Sequence, residues 1–160
     1  MTSEEPGLRG PSPQEKEVAE ANQAFYEAFE SRDLAAMSDL WEHSDRATCT
    51  HPGWPTLRGW GQVHASFDNL FERTPFIQFF LTDQRVSVEG GAAWVIVEEN
   101  VLQAHQTHGG RVAESLLGDA TAEAVNVFVR HPSGWKLVVH HASPVTGLEE
   151  PPPQEPGLNR

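Results

Sequence analysis

The chain has 160 residues, a length that supports one domain with a sizeable core. Its 23 acidic against 11 basic side chains set a formal net charge of -12, which repels phosphate backbones and anionic bilayers and argues against nucleic acid or a membrane surface as partner. Cys49 is the single cysteine, so no internal disulfide framework exists; it sits in an apolar run and reads as a core residue rather than a nucleophile.

The N-terminal stretch MTSEEPGLRGPSPQEKE is acidic where a secretory leader is basic, and no apolar run reaches the roughly 20 residues that span a bilayer. A cytoplasmic protein is expected. Residues 1–12 and 146–160, rich in Pro, Glu and Gly, read as disordered tails and leave residues 13–145 as one domain. Ser12, Pro13 and Glu15 form a helix start with cap, first-turn proline and capping-box acid. Val18, Ala21, Phe25 and Phe29, with Asn22 beside them, then recur at helical spacing.

SRDLAAMSDLW predicts a second, short helix opened by Ser31 or Asp33, with Leu34, Met37, Leu40 and Trp41 inward. Ala47 to His51 reads as a strand. CTHPGWPTLRG, residues 49–59, then turns into a third helix from Gly59 to Arg73, whose apolar face carries Val63, Phe67, Leu70 and Phe71. From Pro75 the period changes to that of strands: Phe76 to Val88, Ala92 to His105, Ala124 to Arg130 and Trp135 to Ala142. Turn signals at Gly90 and Gly91, at His108 to Gly110 and at His131 to Gly134 make these an antiparallel meander. The segment Gln106 to Ala122 reads either as an edge hairpin or as a flap. Helices first and strands later predict an α+β domain with helices on one face of a curved sheet and a pocket at its mouth.

The stretches FYEAFESRDLAAMSDLW, RATCTHPGW, LRGWGQVHASFDNLF and EAVNVFVRHPSGWKLVVHHASP together resemble the nuclear transport factor 2-like superfamily, in its SnoaL-like, ketosteroid-isomerase-like branch, over residues 15–145. The resemblance implies a cone-shaped, barrel-like α+β fold: three helices packed in a strongly bent, mostly antiparallel sheet around one deep pocket. It also implies a homodimer through the outer sheet face. No cofactor is expected. The resemblance does not imply one activity, because isomerases, cyclases, hydrolases, dehydratases and binding modules share this frame.

The isomerase's general base, an aspartate before a proline at the end of the first strand, falls on His51 before Pro52. Its oxyanion-binding tyrosine falls on Phe25, with Tyr26 about 100° away on an ideal helix. Its protonated aspartate falls on Asn126. These departures argue against steroid isomerisation itself. The resemblance places Ile96, Glu98, Asn100 and Leu102 on the concave face of their strand with Val95, Val97 and Val101 outward, and Val138, His140 and Ala142 inward on the last strand with Val139 and His141 outward.

The expected lining is therefore His51, Trp54, Trp60, Glu98, Asn100, Asn126 and His140, on an apolar wall of Phe25, Phe67, Ile96 and Phe128. A register slip of one residue would exchange Glu98 for Glu99 and His140 for His141.

Three classes of function follow. The first is a cofactor-free acid–base enzyme of isomerase, cyclase or lyase type on an apolar or aromatic small molecule. His51 serves as base, His140 or Glu98 as partner and Asn126 as oxyanion donor. The second is a binding module in which the same groups only orient the ligand, and the third a metal site on His51, His140 and Glu98, which no short-range spacing supports. HHAS, His140 to Ser143, is also similar to the tail motif of calcium/calmodulin-kinase association domains and of iota-type carbonic anhydrases, from which the chain departs at Val139 and Ala142.

Overall fold

The computed structural model describes residues 9–104 and 118–146. The expected tails and the Gln106 to Ala122 segment lie largely outside these residues. Three helices, α1 (Pro13–Ser31), α2 (Leu34–Leu40) and α3 (Trp60–Arg73), pack on a six-stranded sheet. The strands are β1 (Thr48–Thr50), β2 (Leu57–Arg58), β3 (Phe76–Glu89), β4 (Ala92–Ala104), β5 (Gly118–His131) and β6 (Gly134–Pro144).

Local chemistry sets the helix ends. Ser12 Oγ accepts from the Glu15 amide at 3.1 Å, with Pro13 following it. Arg32 closes α1 in the left-handed conformation, φ 51°, and Asp33 Oδ1 then caps α2 by accepting from Ala36 N at 3.0 Å. Between Ser31 and Asp33, the aspartate is the cap.

The strand order is β2-β1-β6-β5-β4-β3, antiparallel except for the parallel β1–β6 pair. The sheet is bent but stays open, with β2 and β3 as its edges. Two bulges bend it. On β3 one extra residue lies between Thr82 and Arg85, with Asp83 at φ 52°, and the inward set changes from Ile77, Phe79 and Leu81 to Val86 and Val88. On β6 Val138 is passed over between the Val127–Val139 and Phe128–Leu137 pairs, so Trp135 and Leu137 share the buried face with His140 and Ala142.

β4 departs from the expected facing. Val95, Val97 and Glu99 are buried, whereas Trp94 and Ile96 are each 37% exposed, and Glu98 and Asn100 lie on that outer face with Leu102. Both faces of this strand are apolar, one with Val95, Val97 and Val101 and the other with Trp94, Ile96 and Leu102. Alternation alone therefore cannot say which face the helices cover. They cover the valine face. Phe25, Phe29 and Phe67 meet edge-on with centroids 5.5 to 6.2 Å apart and fill the space between α1 and α3.

Candidate functional site

The site begins at the β1–β2 hairpin, a pairing that the run of prolines and glycines conceals. Thr48 pairs with Arg58 and Cys49 with Leu57, and residues 51–56 form the tip. The amide of Trp54 donates to the His51 carbonyl at 2.9 Å, with Pro52 and Gly53 (φ 78°) between them, a turn whose third position requires positive φ. This turn sends His51 inward and Trp54 to the surface, where the indole sits edge-on to the imidazole at 5.1 Å.

Hydrogen bonds fix the tautomer of each buried histidine. Ser66 donates its one proton to the Val63 carbonyl at 2.7 Å, so at 3.0 Å from His51 Nε2 it can only accept. Nε2 of His51 therefore carries hydrogen, and Nδ1, which has the Cys49 sulfur 3.9 Å away, keeps the basic lone pair. His140 Nδ1 lies 2.6 Å from Asn126 Oδ1 and donates to it, which leaves Nε2 as its basic nitrogen. The rings lie 6.3 Å apart. Burial lowers the His51 pKa to about 4 and, with help from the neighbouring His51 and His141, that of His140 to about 3. Both are neutral at pH 7.

Behind the cavity a polar chain ties five elements together, α1 and β3 to β6. Asn126 Nδ2 donates to Asn22 Oδ1 at 2.8 Å and to the Tyr26 hydroxyl at 3.2 Å, and Tyr26 donates to Glu99 Oε2 at 2.6 Å. Asn22 in turn donates to Gln84 Oε1 at 3.3 Å. His140 and Glu99 are thus joined through Asn126 and Tyr26 by continuous hydrogen bonds. Burial raises the Glu99 pKa to about 7 against the opposing hydrogen bond from Tyr26. Burial, and then the Glu99 charge, push the Tyr26 phenol and the Cys49 thiol upward, which keeps Cys49 a protonated core residue.

His51, His140 and Glu99 line one cavity of about 370 Å³, walled by Phe29, Leu70, Ile77, Phe79 and Val101, with Trp54 and Arg73 also on its lining. Of the residues expected there, His51, Trp54 and His140 take their places. Asn126 is fully buried behind His140 with both ends of its amide engaged. Phe25 and Phe67 support the histidines from the core, at 4.9 Å from His140 and 5.1 Å from His51 respectively, and Phe128 is core as well.

Four residues lie elsewhere. Trp60 stacks on His43 at 4.4 Å, away from the cavity. Glu98, Asn100 and Ile96 face outward, where Glu98 accepts from Thr82 at 2.9 Å and Asn100 donates to the Phe80 carbonyl at 3.0 Å. The metal set of His51, His140 and Glu98 is not assembled, since Glu98 faces the other way; among the described residues no three His, Cys, Asp or Glu side chains are placed to hold a metal ion.

Tyr26, set aside in the sequence in favour of Phe25, belongs to the site, as do Ser66 and Arg73, which carry no expectation there. Tyr26 is buried beside Phe25 because α1 presents a broad face: Phe25 turns toward α3 and β6, while Tyr26 meets Phe79 of β3 and Glu99 of β4. Ser66 had a signal, a small polar side chain inside the apolar row of Val63, Phe67 and Leu70.

Comparison with known proteins identifies the family. The model of the SnoaL-like domain family matches residues 18–147. The chain belongs to that family. Among solved structures, this SnoaL-like protein is similar to a candidate dehydratase of the NTF2-like family from Streptomyces avermitilis, at 40% identity and TM-score 0.77, covering 86% of this chain and all of that one. It is also similar to a candidate calcium/calmodulin-dependent protein kinase type II association domain from Thiobacillus denitrificans, at 29% identity and TM-score 0.66 over 85% and 97% of the two chains. A ketosteroid isomerase-like protein from Erwinia carotovora atroseptica shares the fold, at 17% identity and TM-score 0.68 over 85% and 99% of the two chains. No curated protein matches the chain. No helix among the described residues is long and apolar enough to cross a membrane.

Proposed function

We propose that this SnoaL-like protein is a cofactor-free acid–base enzyme of isomerase or dehydratase type acting on a small apolar molecule. The observation that carries the reading is that a buried carboxyl, Glu99, and two buried imidazoles, His51 and His140, line the same cavity, with the tautomer of each imidazole set by its hydrogen-bond partner. Glu99 replaces Glu98 as the acid. In a dehydration, His51 Nδ1 takes the proton from carbon, the C–H electron pair forms the new double bond, the C–O bond breaks, and the departing oxygen takes the Glu99 proton and leaves as water. The proton on His51 then returns to Glu99 through solvent. In an isomerisation the same two groups remove a proton at one carbon and deliver one at another. Asn126 and Tyr26 act as positioning residues that hold the tautomer of His140 and the carboxyl of Glu99.

The 40% identity to a candidate dehydratase supports this class of reaction. The test is incubation of apolar 3-hydroxycarbonyl and enolisable carbonyl compounds in D₂O, read by NMR. Deuterium uptake or loss of water is expected, reduced by about two orders of magnitude in Glu99→Gln. Compounds that bind without exchange, equally in wild type and Glu99→Gln, would instead make the cavity that of a binding module.

We also propose that the outer sheet face pairs with a second copy. Phe80, Trp94 and Ile96, exposed by 53%, 37% and 37%, lie on that one face across β3 and β4, an apolar strip that association would remove from water.

A further inference from the structure

Arg73, the last residue of α3, lines the cavity and is exposed. It makes no ion pair among the described residues: Glu42 is taken by Arg46 and His131, and Asp83 by Arg85. Nor does it hold the end of its own helix. The Thr74 amide donates to Leu70 O at 2.9 Å, and the carbonyls just beyond, of Thr74 and Pro75, accept from Arg32. In a chain of net charge -12, a guanidinium with no ion-pair partner among the described residues therefore lies on the lining of a mostly apolar cavity whose one carboxyl among those residues, Glu99, is already bonded to Tyr26.

The lining differs in exposure: His51 and His140 are 3% and 2% exposed and Glu99, Phe29 and Ile77 are buried as well, whereas Arg73 is exposed, as is Trp54, whose indole lies against His51. A guanidinium on the lining gives the cavity a local positive charge, and acidic side chains more than a screening length of roughly 8 Å away contribute little there at physiological salt. A guanidinium offers a planar fork of donors that matches a carboxylate at two points.

Resting on the reading of this cavity as a substrate site, we propose that the substrate is an apolar carboxylic acid whose carboxylate is held by Arg73 while its reacting carbons reach the histidines. Arg73 is a specificity residue and takes no part in moving protons.

Titration calorimetry on the full chain tests this with benzoate and 1-naphthoate against benzamide and 1-naphthamide. The acids should bind about tenfold more tightly than the amides, as a charge-assisted contact predicts. Arg73→Gln should abolish that preference while leaving amide affinity unchanged, and Arg73→Lys should keep part of it. Equal binding of acid and amide by the wild type, or a preference that survives Arg73→Gln, overturns the role of Arg73 while amide binding keeps the cavity reading intact. Binding of neither series overturns both.

Discussion

Desolvation drives Glu99 and the two histidines toward their uncharged forms, and so moves a carboxyl up and two imidazoles down. The consequences for stability have opposite signs. Glu99 stays protonated in the folded protein up to about pH 7, so its contribution is complete below its ordinary value of 4.5 and is lost as pH rises through 7. The imidazoles contribute fully above 6.5 and lose that contribution as pH falls toward 4 for His51 and 3 for His140. Glu99→Gln, which keeps an acceptor for Tyr26, is expected to match the wild type near pH 4.5 and exceed it at pH 8 by on the order of 3 kcal/mol. Urea denaturation across that range checks this, and a difference that does not change with pH would show Glu99 to be ionised in the folded state. Asn126→Ala should cost about 3 kcal/mol, because it strands Asn22 Oδ1 and the His140 Nδ1 proton in the core and removes the donor to the Tyr26 hydroxyl. His51 was legible from its place before Pro52. Glu99 was not, because adjacent glutamates on a strand with two apolar faces leave the inward one undecided until the helices choose a face.

At the scale of elements, the β1–β2 hairpin and the β6 bulge carry the site. Gly53 holds φ at 78° in the turn that separates the inward His51 from the outward Trp54. Gly53→Ala has open space for its methyl group, so its cost is backbone strain alone, about 1 kcal/mol. The expected outcome is a lowered melting temperature together with altered Trp54 fluorescence. A melting temperature equal to that of the wild type would show that the turn carries no such strain. The four long strands and three helices were legible from period and punctuation, and His140 was assigned to the correct face. Hidden from the sequence were β2, only two residues long inside a proline-rich loop, and the bulges on β3 and β6, which arise from closing a bent sheet over three helices rather than from any local motif.

At the scale of the molecule, the sheet divides the chain's chemistry between its two faces. Its inner face holds the cavity and the polar chain, and its outer face exposes the strip of Phe80, Trp94 and Ile96. Ile96→Glu places a charge in that strip and is expected to convert a dimer to a monomer in analytical ultracentrifugation; a wild type that sediments as a monomer at every concentration would remove the pairing from the account. The catalytic reading rests on protonation states that are measurable without knowing the substrate. The decisive measurement is an NMR titration of the full chain labelled with ¹³C at glutamate carboxyls and ¹⁵N at histidine rings. The account predicts one carboxyl, lost in Glu99→Gln, with its midpoint near pH 7, and two histidines that stay neutral from pH 8 to 5, His51 protonated at Nε2 and His140 at Nδ1. A Glu99 midpoint near 4.5, or a charged His51 at pH 7, would contradict it.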